Sequence, residues 1–220
     1  MKKQYKLAIF DLDGTVLDTL DDLADSVNAV LAENGYPIHT RDEIRGFVGN
    51  GIGLLISRAL PADADAQTVC AILEDFKVYY GAHCAVKTAP YKGVREMLAC
   101  LRMHGVRTVV LSNKADFATQ ALCKSYFAGL FDAVAGEREA EGIPKKPAPD
   151  AVFALMRAFG VKAEEAVYIG DSEVDVETAR NAGVDAVLVS WGFRTEGELL
   201  LAGATTIAHT PEGVLKKILG

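Results

Sequence analysis

Short apolar runs recur along the chain and are separated by segments with helical periodicity. Residues 7–10, Leu-Ala-Ile-Phe, are apolar on both faces, which is typical of a central strand in a covered parallel sheet. Comparable runs occupy residues 106–111 and 166–169, and weaker ones occupy residues 133–135 and 185–189. Each run predicts a strand.

Helices are predicted between these strands. The spacing of apolar side chains indicates helices over residues 94–101, 151–159 and 174–182. Gly160 and Gly183 directly follow the last two, where glycine commonly ends a helix. Strands that alternate with helices indicate an α/β fold, a doubly wound parallel sheet with helices on both faces.

A long segment near the N-terminus interrupts this alternation and shows no strand pattern. Its periodicity predicts helices near residues 20–31, 54–60 and 69–80. A glycine-rich loop is expected between the first two of them, at Gly46, Gly49, Gly51 and Gly53. We therefore predict an inserted all-helical cap of residues 17–86 and an α/β core of residues 1–16 and 87–220.

Composition narrows the class of protein. Of the 220 residues 50% are hydrophobic and 24% are charged, and the net charge of −7 argues against a nucleic-acid surface. The four cysteines are far apart and suggest free thiols in a reducing compartment. The basic start Met1-Lys2-Lys3 precedes an apolar run too short for a signal peptide or a membrane span. We expect a cytoplasmic monomer or homodimer without a membrane partner.

Polar side chains follow the predicted strands at the edge where the carboxyl ends of a parallel sheet bind ligands. Four carboxylates among them would repel one another unless they are protonated or bridged by a cation. A cluster of oxygen ligands without His or Cys favours a hard cation such as Mg²⁺. The residues expected at this edge are Asp11, Asp13, Gly14, Thr15, Ser112, Asn113, Asp171, Ser172 and Asp175.

These residue types suit phosphoryl transfer. Asp11 could attack phosphorus and form an aspartyl-phosphate, while Asp13 could protonate the leaving oxygen and later activate water. A cation such as Lys146 could balance the charge of the transition state. The phosphate is expected to bind to Gly14, Thr15, Ser112 and Asn113.

Four segments in this order resemble the haloacid dehalogenase superfamily of phosphatases over essentially the full chain. They are Asp11-Leu12-Asp13-Gly14-Thr15, Leu111-Ser112-Asn113, Lys146-Pro147-x-Pro149 and Gly170-Asp171-Ser172-x-x-Asp175. The resemblance implies a doubly wound core with a mobile helical cap, and it implies that Asp11 is the nucleophile, Asp13 the acid/base, and Lys146 the residue that holds nucleophile and phosphate. It also implies that Mg²⁺ is bound by Asp11, the main-chain carbonyl of Asp13, and Asp171, with Ser172 and Asp175 beside these ligands.

The branch within the superfamily is indicated by further residues. The presence of Asp13 argues against dehalogenase activity. Leu12-Asp13 also does not match the Lys-Thr pair that follows the nucleophile in the related ion pumps. The cap run of residues 45–51, the triplet Ser112-Asn113-Lys114 and Trp191-Gly192-Phe193 look most like phosphoglycolate phosphatases. The expected partner is therefore a small phosphorylated metabolite, with 2-phosphoglycolate as the lead candidate. Candidate contacts for its carboxylate or a hydroxyl are Arg45 and Asn50.

Other interpretations stay open at this point. A phosphomutase of the β-phosphoglucomutase type, a pyrophosphatase of the same superfamily and a non-catalytic binding protein all fit parts of the pattern. A signalling receiver domain places its acids differently and lacks the insertion. The acids and Ser112-Asn113 could also only form turns or helix caps, and Lys145 is a neighbouring rival to Lys146.

Overall fold

The computed structural model describes residues 4–220, so the basic start Met1-Lys2-Lys3 lies outside the described residues. The strands in the described chain are β1 (Leu7–Phe10), β2 (Leu17–Asp18), β3 (Ala89–Pro90), β4 (Arg107–Ala115), β5 (Ala133–Glu137), β6 (Ala166–Gly170), β7 (Asp185–Val189) and β8 (Ile207–Ala208). The α-helices are α1 (Leu20–Glu33), α2 (Arg41–Phe47), α3 (Ile52–Ala59), α4 (Ala66–His83), α5 (Val94–Met103), α6 (Asp116–Tyr126), α7 (Asp150–Phe159), α8 (Glu173–Ala182), α9 (Glu196–Leu201) and α10 (Pro211–Leu219).

Six strands form one sheet in the order β5-β4-β1-β6-β7-β8. All of its paired strands are parallel, and β1 lies between β4 and β6 at the centre. The predicted α/β fold with a parallel sheet and a helical insertion is therefore confirmed. The carboxyl ends of the two central strands deliver Asp11 and Asp171 to the same edge, because Phe10 is paired with Ile169.

The core forms on both faces of this sheet because successive side chains of a strand point in opposite directions. Leu7 and Ile9 of β1 pack in a buried cluster with Tyr168 of β6, together with residues of α7 and α8. Ala8 and Phe10, also fully buried, point to the other face. A separate pair of helices, α5 and α10, contact each other and the strands β4 and β7.

The chain divides into two compact units. The core unit comprises the described residues up to Leu17 together with Pro90–Gly220, and the helical unit comprises Asp18–Ala89. The helical unit contains α1 to α4, among which α1 packs against α2 and α4. The chain passes between the units at β2 and β3, which pair as a two-stranded sheet.

Two local predictions from the sequence are wrong. The expected glycine-rich loop is partly helical, because Gly46 lies in α2 and Gly53 in α3. A capping box in which Thr40 and Glu43 satisfy each other's backbone N–H groups starts α2. The strand expected to end before Ser112 continues to Ala115, with a shift in its pairing to β5 after Leu111.

One buried acid fixes the returning segment of the helical unit. Asp22 of α1 is 2% exposed, and its carboxylate accepts the main-chain N–H groups of Val86 at 3.0 Å, Lys87 at 2.9 Å and Thr88 at 2.8 Å. Each of these bonds is charge-assisted and therefore stronger than a neutral one. Asp22 thus anchors the segment that leads to β3.

Two expectations from composition concern the cysteines and the membrane. The cysteines are all free thiols, as predicted. Over residues 4–220, every helix is too short or too polar to cross a bilayer.

Candidate active site

Three acids converge at the edge of the sheet formed by the carboxyl ends of β1 and β6. Asp11 follows β1, Asp171 follows β6, and Asp175 lies in the first turn of α8. Each offers a carboxylate oxygen, and these oxygens lie within 4.8 Å of one another. All three side chains are buried. Among residues 4–220 this is the group of acids, histidines and cysteines that could hold a metal ion.

Burial and the repulsion of neighbouring carboxylates disfavour ionisation of two of these acids, Asp11 and Asp171, and raise the pKa of both. Burial raises the pKa of Asp11 to about 7, although the attraction of Lys146 opposes the shift. Burial, reinforced by repulsion from Asp175 and Asp11, raises the pKa of Asp171 well above its usual range. A positive charge placed among these carboxylates would therefore relieve unfavourable free energy.

Lys146 links the nucleophile candidate to α8. Its ammonium lies 2.9 Å from Oδ1 of Asp11 and 2.8 Å from Oδ1 of Asp175, and the lysine side chain is 3% exposed. Burial disfavours the charged form of Lys146, but Asp11 and Asp175 outweigh it and raise the pKa of the lysine well above its usual range. The neighbouring Lys145 instead pairs with Glu139 at 3.0 Å.

Asp175 is saturated by contacts within the protein. Its Oδ2 accepts the main-chain N–H groups of Asp171 and Ser172, both at 3.1 Å, and the Ser172 hydroxyl at 2.8 Å. Its Oδ1 accepts from Lys146. Ser172 and Asp175 thus cap α8, and Asp175 also holds Lys146 and orders the turn that carries Asp171.

Asp171 is enclosed by backbone on two sides. Its Oδ2 accepts the main-chain N–H of Phe193 at 2.6 Å, and its Oδ1 accepts the Thr15 hydroxyl at 3.3 Å. A Cβ at Gly14, where φ is +81°, would lie 2.2 Å from Oδ2 of Asp171, and one at Gly192 would lie 2.3 Å from the same atom. Glycine is required at both positions because any side chain there would displace the acid.

The Trp191-Gly192-Phe193 segment after β7 closes this side of the site. The Trp191 indole N–H donates to the main-chain carbonyl of Thr15 at 3.1 Å. Together with the Phe193 N–H on Asp171, this bond ties the loop after β7 to the loop after β1. Of the three residues singled out from the sequence, Trp191 and Phe193 thus hold the loops beside the acid cluster, and Gly192 leaves room for Asp171.

The Ser112-Asn113-Lys114 triplet lies in β4, beside the end of β1. The Asn113 side chain forms two hydrogen bonds with the main chain of Lys146, donating to its carbonyl at 3.0 Å and accepting from its N–H at 2.8 Å. Ser112 accepts the N–H of Lys114 at 3.2 Å. The amide of Asn113, expected from the sequence at the phosphate, here holds the segment that carries Lys146.

Lys114 was not singled out as a functional residue from the sequence. Its ammonium lies 3.2 Å from each carboxylate oxygen of Asp13, and the two side chains are 3% and 15% exposed. From the sequence it served only as the last residue of the triplet that looks like phosphoglycolate phosphatases, without a role of its own. The structure places it against the acid/base candidate.

The donor set fits a hard divalent cation. Lys114 pairs with Asp13, Lys146 pairs with Asp11 and Asp175, and Asp171 lies in the same group of carboxylates. Crowded oxygen ligands of this kind match Mg²⁺ better than a transition metal that prefers nitrogen or sulfur.

The two residues predicted for substrate recognition lie in the helical unit. Arg45 is part of α2 and lies 3.7 Å from Asp42, one turn earlier on the same helix. Asn50 is half-buried in the short connection between α2 and α3.

Comparisons with known proteins agree with these motifs. A family model for haloacid dehalogenase-like hydrolases matches residues 8–189. The phosphoglycolate phosphatase of Caulobacter vibrioides is 38% identical over 205 residues, which cover 91% of this chain and 85% of that protein. That of Pseudomonas savastanoi pv. phaseolicola is 37% identical over 197 residues, covering 87% and 71%.

A solved structure agrees equally well. The crystal structure of a Lactobacillus delbrueckii subsp. bulgaricus protein, itself named a phosphoglycolate phosphatase only provisionally, has a TM-score of 0.95 and 38% identity over 99% of both chains. The resemblance predicted from the four sequence segments is thereby confirmed. The chain belongs to the haloacid dehalogenase-like hydrolases and is an enzyme similar to phosphoglycolate phosphatases.

Proposed function

We propose that the enzyme hydrolyses a small phosphate monoester with the help of Mg²⁺, and that 2-phosphoglycolate is its substrate. The observation that carries this proposal is the buried group of Asp11, Asp171 and Asp175, whose oxygens lie within 4.8 Å of one another. Such a group is suited to holding a cation beside a nucleophilic carboxylate.

In the first half-reaction Asp11 attacks phosphorus. Both Lys146 and the main-chain N–H of Leu12 contact Oδ1 of Asp11, at 2.9 Å and 2.7 Å. These two contacts leave Oδ2 to form the bond to phosphorus, while the bond from phosphorus to the ester oxygen breaks. Asp13 donates a proton to that oxygen, and the alcohol leaves.

In the second half-reaction water hydrolyses the aspartyl-phosphate. Asp13, now ionised, takes a proton from the water as the water attacks phosphorus. Inorganic phosphate forms, and Asp11 is regenerated as a carboxylate. The same residue thus acts first as acid and then as base, which the pairing with Lys114 supports by fixing its position.

Charge on the phosphoryl oxygens is balanced by cations around the site. Mg²⁺, held by Asp11, Asp171 and the main-chain carbonyl of Asp13, would neutralise negative charge on the phosphoryl group and on the nucleophile. Lys146 supplies a second positive charge, at a place fixed by Asp175 and by the Asn113 side chain. Ser112 and the loop at Gly14-Thr15 are proposed to bind phosphoryl oxygens.

The proposed substrate rests on relatives and on residue types. Two of the similar proteins, from Caulobacter and Pseudomonas, are named phosphoglycolate phosphatases. Residues 17–86, proposed to act as the cap, contain Arg45 and Asn50, whose side chains suit a carboxylate or a hydroxyl.

The proposal is tested by measuring phosphate release from a panel of phosphorylated metabolites, with Mg²⁺ and with EDTA. We expect turnover that requires Mg²⁺ and a kcat/KM that is highest for 2-phosphoglycolate. Sustained release without a bisphosphate activator would exclude a phosphomutase. If the enzyme hydrolyses only pyrophosphate, then pyrophosphate and not 2-phosphoglycolate is its substrate. If no compound of the panel releases phosphate, the protein is not a phosphatase.

A further inference from the structure

We propose that Lys114 forms an anion subsite on the leaving-group side of the active site, which binds the carboxylate of the substrate. This inference rests on the proposed phosphatase function and deepens it. It assigns to one residue of the core unit the selection of esters that carry a negative group next to the ester oxygen.

The two buried lysines of the site serve different acids. Lys146 contacts Asp11 and Asp175, so its charge lies beside the nucleophile and the transferred phosphoryl group. Lys114 contacts Asp13, at 3.2 Å from both of its oxygens. Because Asp13 is the proton donor to the leaving oxygen, Lys114 lies on the side where the alcohol departs.

Distance limits what this ammonium can reach. A general acid must approach the oxygen that it protonates to about 2.6–3.2 Å. A cation that contacts both oxygens of that acid therefore lies close to the leaving oxygen and its first substituents. In 2-phosphoglycolate a single methylene separates the ester oxygen from the carboxylate, so the carboxylate falls within this range.

The position of Lys114 is fixed by its own backbone. Its N–H donates to the Ser112 hydroxyl at 3.2 Å, and its carbonyl accepts the Thr119 hydroxyl at 3.2 Å. A Cβ at Gly136 would lie 2.7 Å from the same carbonyl, so β5 packs directly against this part of β4. A residue held in this way presents its charge at a defined place, which is what a specificity site requires.

The acids around the site favour such a cation on the leaving side. Asp11, Asp13, Asp171 and Asp175 would repel a substrate carboxylate in the absence of a positive group on the leaving side. Lys146 is already shared between two acids. Lys114 can share its ammonium between Asp13 and the incoming carboxylate, which converts repulsion into a charge-assisted hydrogen bond.

The experiment compares two esters of nearly equal size, 2-phosphoglycolate and 2-hydroxyethyl phosphate, in which a hydroxymethyl group replaces the carboxylate. We expect the natural enzyme to prefer 2-phosphoglycolate in kcat/KM by about 10- to 100-fold, the range of one hydrogen bond to a charged group. Lys114→Gln should lower turnover of both esters but abolish most of this preference, mainly by raising KM for the ester that carries the carboxylate. Lys114→Arg should retain part of it.

Controls separate this role from a structural one. Lys124→Gln, an exposed lysine of α6, should leave the preference unchanged. If Lys114 only positions Asp13, Lys114→Gln lowers kcat/KM for both esters by the same factor, and that result would overturn the subsite. The subsite would also be overturned if Arg45→Gln loses the preference for 2-phosphoglycolate while Lys114→Gln retains it.

The outcomes also separate this inference from the proposed function. Hydrolysis of both esters by the natural enzyme without a preference contradicts the subsite and leaves the phosphatase intact. This comparison needs no variant, so poor folding of Lys114→Gln does not affect it. Absence of Mg²⁺-dependent phosphate release from any ester contradicts the phosphatase itself.

Discussion

The two units of the molecule use buried acids in opposite ways. Among residues 18–89, all of which the structure describes, Asp22 is the buried charged residue, and its carboxylate is surrounded by three backbone N–H groups. In the core unit Asp11 and Asp171 are buried next to another acid, and burial raises the pKa of both. A buried carboxylate satisfied by backbone donors stabilises a fold, whereas carboxylates crowded against one another indicate a site for a cation or for chemistry.

The largest expected effect is in the core unit. Asp11→Asn should lower kcat on the best substrate by at least about 1,000-fold, because the amide is a poor nucleophile. The fold should be retained, since the change removes one charge from a crowded group. Circular dichroism and phosphate release measure the two quantities. Asp150→Asn, an exposed acid at the start of α7, is the matched control and should keep its activity; activity above about 1% in Asp11→Asn would refute the assignment.

The second expected effect is a loss of folding stability in the metal-free protein as the pH rises. Burial raises the pKa of Asp11 to about 7, from about 3.9 in an unfolded chain. Between these two pH values the native protein keeps a proton on Asp11 that the unfolded chain has lost. Its contribution to stability is complete below about pH 4 and is lost as the pH rises through 7. The expected loss is on the order of 4 kcal/mol.

Urea unfolding in EDTA at several pH values measures this loss. Asp11→Asn should flatten the decline, and Mg²⁺ should stabilise the natural enzyme most at the alkaline end. A decline of equal steepness in the variant would show that Asp11 is not the group responsible.

A third, smaller effect is expected in the helical unit. Asp22→Asn weakens three hydrogen bonds and places amide hydrogens against N–H donors, which should lower the free energy of unfolding by about 2–3 kcal/mol. Activity per folded molecule should persist. Asp25→Asn is the control, because Asp25 contacts the exposed side chain of Lys87 in the same returning segment. If both variants unfold at the same urea concentration, Asp22 is not an anchor.

The smallest effect tests the link between Asn113 and Lys146. Asn113→Ala removes two bonds to the main chain of Lys146 and should lower kcat by about 10- to 30-fold, because each bond contributes about 1 kcal/mol net. Asn181→Ala removes the bond that the exposed Asn181 side chain donates to the main-chain carbonyl of Pro147 at 2.9 Å. It should change kcat far less. Equal losses would mean that the whole loop, and not Lys146, responds to these amides.

The predictions from sequence succeeded where the position along a strand decides the outcome. Asp11 and Asp171 follow apolar runs, and parallel strands bring such positions together however far apart they are in the chain. The helices α7 and α8 were predicted from the spacing of apolar side chains, and their ends were predicted at Gly160 and Gly183, which both have positive φ in the structure. Local chemistry and topology were sufficient for these features.

The predictions failed where a distant partner decides the outcome. Ser112 and Asn113 look like loop residues, yet they belong to β4. Asn113 finds its partner 33 positions later, at Lys146. Asp22 looks like one of several acids on the exposed side of a helix, and only the fold shows that residues 86–88 return to it. Pairings between elements carry no periodic signal, so a single sequence does not disclose them.

The two glycines beside Asp171 limit how the proposed active site could be redesigned. With so little space at Gly14 and Gly192, even the methyl group of alanine would push the acid away. If the proposed mechanism holds, substitutions at these two positions would cost activity, and altered specificity would have to come from residues farther from the phosphoryl group.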